Sequence, residues 1–314
     1  MQSYINYFTI IAAAGVTRMR PVHSIVPFSS LDETFAPGLK GVMGHGPVRV
    51  GSQAANQTQH DAYGSVVLGA MQMSIDERLP KVGDEALFRQ LKRLGEHALR
   101  YAFEPNSDIL EYRERAKVHA YSAALCWAAC DRLGQFAHRL RLSKRARYWH
   151  AHAVPITDKS LAEVWHKKRG ALTGALGHSD LDASVLLCGD LGLFASTDPR
   201  FGSTCDVIRC ELMRKGRITP YMADDDFGAP ETALLACSFC HIGALCLIGR
   251  KDDAQQMFDD SFERGNAFGR LSEDIRPETG ELWGNFAQAY SMVEIINTAT
   301  RMSSSWEEEG WARV

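Results

Sequence analysis

The feature that most constrains this chain is the recurrence of apolar residues three and four positions apart from Gln57 onward. Val118, Tyr121, Leu125, Ala128, Ala129, Leu133, Phe136 and Leu140, for example, fall on one face of an α-helix. Nine such segments follow one another, near 57–75, 84–103, 115–140, 143–168, 181–190, 203–215, 230–249, 250–264 and 286–302. Alternation of period two is hard to find anywhere, so strands are not expected. The connections carry start and stop chemistry: Asp180 and Asp182 at a helix start, Asp198-Pro199 in a turn, Gly228-Ala-Pro230 before Glu231, and Gly249 closing a helix. No segment repeats at fixed length, which counts against a solenoid with a short consensus. An all-α chain of antiparallel helical hairpins is the expectation.

The segment ahead of these helices is different. Residues 1–46 read as a short apolar helix followed by an irregular stretch with scattered Pro and Gly, and 47–314 as the helical domain. The apolar run Tyr7–Val16 is half the roughly 20 residues a membrane-spanning helix requires, and no Lys or Arg precedes it. Neither a membrane span nor a secretory leader is expected, and the chain reads as cytoplasmic. A net charge of -3 offers no broad basic field for nucleic acid or an anionic membrane, so a neutral substrate is expected. The eight cysteines fall mostly inside apolar helical patterns, as reduced core thiols do. Cys237-Ser-Phe-Cys240 is the one CxxC; zinc would need two further ligands, and no metal or cofactor is expected. The C-terminal Trp306 and Trp311, around Glu307–Glu309, read as indoles docked at a solvated helix end.

Two acidic stretches stand out against this background. Leu271–Ser291, LSEDIRPETGELWGNFAQAYS, sets Glu273 just ahead of a Pro/Gly-rich loop that feeds a helix. Far upstream, Asp108-Ile-Leu-Glu-Tyr-Arg-Glu114 also leads into a helix. Two carboxylates on two loops suit acid/base hydrolysis, and glycoside hydrolysis uses such a pair.

A series of ordered motifs gives this pairing a context. They are Pro47-Val-Arg-Val-Gly51, Gln57-Thr-Gln-His-Asp61-Ala-Tyr63-Gly64, Leu110-Glu111-Tyr112-Arg113, Ser122–Arg132 and Leu181-Asp182-Ala-Ser184. Further on come Asp198-Pro-Arg200-Phe, Asp225-Asp-Phe-Gly228, Cys237-Ser-Phe239, Ser272-Glu273-Asp274 and Gly280-Glu-Leu-Trp283-Gly-Asn285-Phe. Together they resemble glycoside hydrolase family 15, the glucoamylases, glucodextranases and bacterial-type trehalases, over roughly residues 22–305. The resemblance implies an (α/α)6 toroid of twelve helices, here incomplete with about nine. It also implies inverting hydrolysis of a terminal α-linked glucose, with Glu111 as general acid and Glu273 as general base. Arg113, Tyr112, Asp61, Tyr63 and Trp283 are the substrate-binding candidates that follow from the same motifs. Three of them have a structural alternative: a salt bridge for Arg113, helix capping and packing for Asp61 and Tyr63.

The pattern also breaks in places. Leu110 stands where the family has Trp before the acid, Glu114 where relatives usually have Gly, Cys240 where they have Trp, and Ala287 where they have Pro. An N-terminal β-sandwich and a Trp-x-Arg-Asp motif usual in relatives are not found in this sequence. The expected substrate is a neutral oligosaccharide or polysaccharide, and the expected activity is glucoamylase-like release of glucose from α-1,4-glucans. Trehalose hydrolysis, or carbohydrate binding by a catalytically impaired member, are the alternatives.

Overall fold

The computed structural model describes residues 2–13, 19–26, 29–76, 83–112, 115–224, 228–262 and 269–303. Arg113, Glu114, Asp225, Asp226, Trp306 and Trp311 lie outside the described residues. Ten α-helices are found among the described residues: α1 (Gln2–Ala13), α2 (Asp61–Ile75), α3 (Glu85–Tyr101), α4 (Ala120–Arg139), α5 (Ser143–Val164), α6 (Leu187–Asp190), α7 (Pro199–Leu212), α8 (Leu235–Leu247), α9 (Lys251–Phe262) and α10 (Ala289–Ser303). None is long and apolar enough to cross a membrane.

All nine expected helical segments are present, with differences at their ends. Asp182 accepts the Ser184 N–H at 3.0 Å and so caps a 3-10 turn, Ala183–Leu186, that runs into α6. Asp198 caps α7, with Pro199 in the first turn, where its missing N–H costs nothing. Gly249, at φ +80°, closes α8 in the left-handed conformation that glycine adopts without strain.

The expectation of no strands needs correction, because nine short ones occur among the described residues. They are β1 (Thr34–Phe35), β2 (Arg49–Val50), β3 (Trp165–His166), β4 (Ala171–Leu172), β5 (Met213–Arg214), β6 (Arg217–Ile218), β7 (Ala233–Leu234), β8 (Ser272–Ile275) and β9 (Leu282–Phe286). Strands of two to five residues leave too little sequence for an alternation to register. Three antiparallel pairs, β1 with β2, β3 with β4 and β5 with β6, are separate from a three-stranded sheet of order β7-β8-β9. β7 also takes residues that sequence periodicity assigns to the start of α8.

The chain divides into two compact units, Met1–Lys117 with Leu125–Ala153, and Val118–Ala124 with Val154–Val314. In the first, Trp149, Leu133 and Phe136 are wholly or almost wholly buried, and Phe136 meets Phe88 edge-on at 5.8 Å. Glycine allows two close approaches there. A Cβ on Gly64 would lie 2.3 Å from the Leu125 carbonyl oxygen, and one on Gly95 would lie 2.2 Å from Leu133. In the second unit, Phe239, Ile242 and Leu245 of α8 pack with Ala254, Met257, Leu271 and Ile275. Ile275 therefore ties β8 to the core of its unit, and Ser291 of α10 donates to the Ser272 carbonyl at 2.9 Å. Cys126, Cys130, Cys205 and Cys237 are buried, and burial pushes each thiol up, to about 12 for Cys130 and Cys205. They are inert core groups at neutral pH, whereas Cys210 is exposed.

Candidate active site

In the second unit the carboxylate of Glu273 is carried by β8, not by a loop as the sequence suggests. β7 pairs with β8 through Ala233↔Ile275 and Leu234↔Asp274. β9 returns antiparallel, with Ser272↔Phe286, Asp274↔Trp283 and Ile275↔Leu282. Along β8, Ser272 and Ile275 are buried, while Glu273 and Asp274 between them are half-buried.

Glu273 Oε2 accepts two hydrogen bonds from one residue, the Asn285 backbone N–H at 3.2 Å and Asn285 Nδ2 at 2.9 Å. Asp274 takes a hydrogen bond from Thr232 Oγ1 at 2.8 Å. Burial pushes the Asp274 carboxyl up to about 6; the Thr232 hydroxyl opposes that shift and the Glu273 charge adds to it. Trp283 is half-buried, with the Arg276 guanidinium 5.3 Å from its ring centroid. This hairpin thus gathers a carboxylate held by N–H donors, an indole and a cation.

In the first unit Glu111 lies in a tight turn, with its side chain exposed and Tyr112 buried beside it. Its N–H donates to the Asp108 carbonyl at 3.0 Å, and the Tyr112 N–H to Ser107 at 2.9 Å. Asp108 and Glu111 have φ of 59° and 56°, a region non-glycine residues seldom occupy and that concentrates at functional sites. Outside contacts hold this conformation. Gln57 Nε2 donates to the Glu111 carbonyl at 2.9 Å, Gln59 Nε2 donates to Gln57 Oε1 at 3.1 Å, and the Ser107 N–H donates to the Thr58 carbonyl at 2.8 Å. The Gln57–Gln59 stretch is thereby a support for the turn that carries Glu111.

Asp61 and Tyr63, at the start of α2, are buried within the first unit. The Tyr63 hydroxyl accepts the Met19 N–H at 3.3 Å, and its ring lies parallel to His97 at 5.4 Å. Arg113 is outside the described residues. The structure therefore groups Glu111, Tyr112, Asp61 and Tyr63 in one unit, and Glu273 with Trp283 in the other. Sequence reasoning assigned no role to Gln57, Thr232, Gly284 or Asn285. The signal available was the spelling of the motifs themselves, in particular a Gly-Asn pair following the carboxylate.

The family model described as glycosyl hydrolases family 15 matches residues 16–239, well over half of the chain. The trehalase of Thermoplasma volcanium is 29% identical over 289 residues, 92% of this chain and 46% of that protein. The trehalase of Mycolicibacterium smegmatis is 31% identical over 283 residues, 89% of this chain and 42% of that protein. The chain thus spans a little under half the length of these curated relatives. A solved structure described as a wild-type glycosidase superposes with a TM-score of 0.67 at 20% identity, covering 83% of this chain and 72% of the other. The fold class is the all-α toroid type implied by the sequence motifs, and the chain belongs to family 15 of the glycosyl hydrolases.

Proposed function

We propose that this chain takes part in inverting hydrolysis of trehalose, with Glu273 as general base and Glu111 as general acid. The observation that carries the reading is the relatedness to trehalases along about nine-tenths of the chain. It moves the preference from the α-1,4-glucan expected first to the disaccharide held as the alternative. In the reaction, Glu273 takes a proton from water, and the water oxygen bonds to one anomeric carbon on the face opposite the leaving group. Glu111 gives its proton to the glycosidic oxygen as the C–O bond breaks. Inversion at the attacked carbon yields one β-glucose, and the leaving glucose keeps its α configuration.

The substrate is neutral, in keeping with a chain of net charge -3 and no broad basic field. Trp283, beside Arg276, offers an aromatic face of the kind that packs on a sugar ring. The test is glucose release by the chain from trehalose, maltose, maltotriose, starch and dextran, with the anomers read by proton NMR. Trehalose is expected to be the best substrate and to give the two anomers in equal initial amounts. Glu273→Gln is expected to lower kcat by about 100- to 10,000-fold. Absence of release from every sugar, with sugar binding retained, would replace this reading by that of a carbohydrate-binding member of the family.

A further inference from the structure

The register of the β8–β9 pair contains an irregularity opposite Glu273. Ser272 faces Phe286 and Asp274 faces Trp283, so one residue of β8, Glu273, stands across from two of β9, Gly284 and Asn285. This is a β-bulge, and its first residue, Gly284, has φ +74°. A glycine in the left-handed region followed by a residue that rejoins the strand is a recurrent bulge form, and bulges re-aim side chains.

Here the bulge turns both N–H groups of Asn285 onto Glu273 Oε2, at 3.2 and 2.9 Å. The glycine is required for space as well as for conformation. A Cβ at position 284 would lie 2.9 Å from Glu273 Cβ and 2.9 Å from its Oε2. Among the described residues, Glu273 Oε1 takes part in no hydrogen bond.

We propose that the Gly284–Asn285 bulge is a positioning device for the base: it pins Oε2 and leaves Oε1 as the oxygen that takes the proton from water. Asn285 is thus a positioning residue, acting through Glu273. The inference rests on the assignment of Glu273 as general base made above. Its physical content is orientation. A carboxylate side chain has three rotatable bonds, and two donors on one oxygen from a strand-bound residue restrict them together.

The experiment compares the full chain with Asn285→Ala and Gly284→Ala in steady-state hydrolysis of trehalose, alongside NMR of the Asn285 side-chain amide, assigned by its absence in Asn285→Ala. Asn285→Ala is expected to lower kcat by about 10- to 100-fold with KM changed less than about threefold, the signature of lost orientation without lost binding. Gly284→Ala is expected to lower kcat further, and should it fail to fold, Asn285→Ala still decides the matter. The Asn285 amide resonance is expected to move in Glu273→Ala, where its acceptor is gone. An active wild type with unchanged kcat in Asn285→Ala would overturn the positioning role and leave the trehalase reading standing. An inactive wild type whose Asn285 amide still responds to Glu273→Ala would overturn the functional reading, and the positioning role of Asn285 with it, while keeping the contact. An amide that ignores Glu273→Ala would refute the hydrogen bonds themselves.

Discussion

Single residues in this chain carry consequences out of proportion to their size, and His241 is the clearest case outside the candidate site. It is wholly buried on α8, and neither ring nitrogen meets a hydrogen-bond partner among the described residues. Burial lowers its pKa to about 4; the charges of Arg209 and Arg250 add to the shift, and Asp206 and Asp253 oppose it. The unfolded chain binds this proton near pH 6.5, so between about 6.5 and 4 the unfolded state holds a proton that the folded state lacks. The stabilisation is fully present above pH 6.5 and is lost as the pH falls towards 4, up to about 3 kcal/mol in all. Urea unfolding of the wild type and of His241→Gln at several pH values between 4 and 7 measures it. The wild type is expected to lose stability more steeply than the variant, by about 1.4 kcal/mol per pH unit, and parallel slopes would reject the assignment.

Elements are specified locally where a cap or a periodic face does the work. Asp84 accepts the Leu87 N–H at 2.8 Å and satisfies one of the unpaired donors at the start of α3. Asp84→Ala is expected to lower the unfolding free energy by about 1 kcal/mol, seen as a lower urea midpoint at unchanged slope. An unchanged midpoint would mean that water replaces the cap at no cost. The same locality explains why nine helical segments are legible in the sequence, from the face of α4 to the glycine that ends α8. Legibility fails where an element depends on distant partners. β7 and β8 pair residues about forty positions apart, Ala233 with Ile275, and the four residues of β8 form a strand only because β7 and β9 flank them. The Glu111 turn behaves similarly, since it is held by Gln57 and Thr58 from about fifty residues upstream.

At the scale of the whole molecule, the proposed chemistry requires two carboxyl groups carried by different compact units. Inversion needs room for a water between acid and base. In a crystal structure of the chain with a bound sugar, the Glu111 and Glu273 carboxyls are expected roughly 6.5–9.5 Å apart. A separation near 5–5.5 Å would indicate retention and a covalent intermediate, contradicting the mechanism proposed here.

By itself, the sequence determined the helical class, the order and approximate limits of the helices, and the family, because periodicity, caps and ordered motifs are local properties that survive in a linear string. The short strands, the bulge facing Glu273 and the left-handed turn at Glu111 were decided only in three dimensions. The pairing of β7 with β8, the Asn285–Glu273 contact and the Gln57–Glu111 bond join residues between twelve and more than fifty positions apart, and no window of sequence holds both partners of such a contact in a recognisable period.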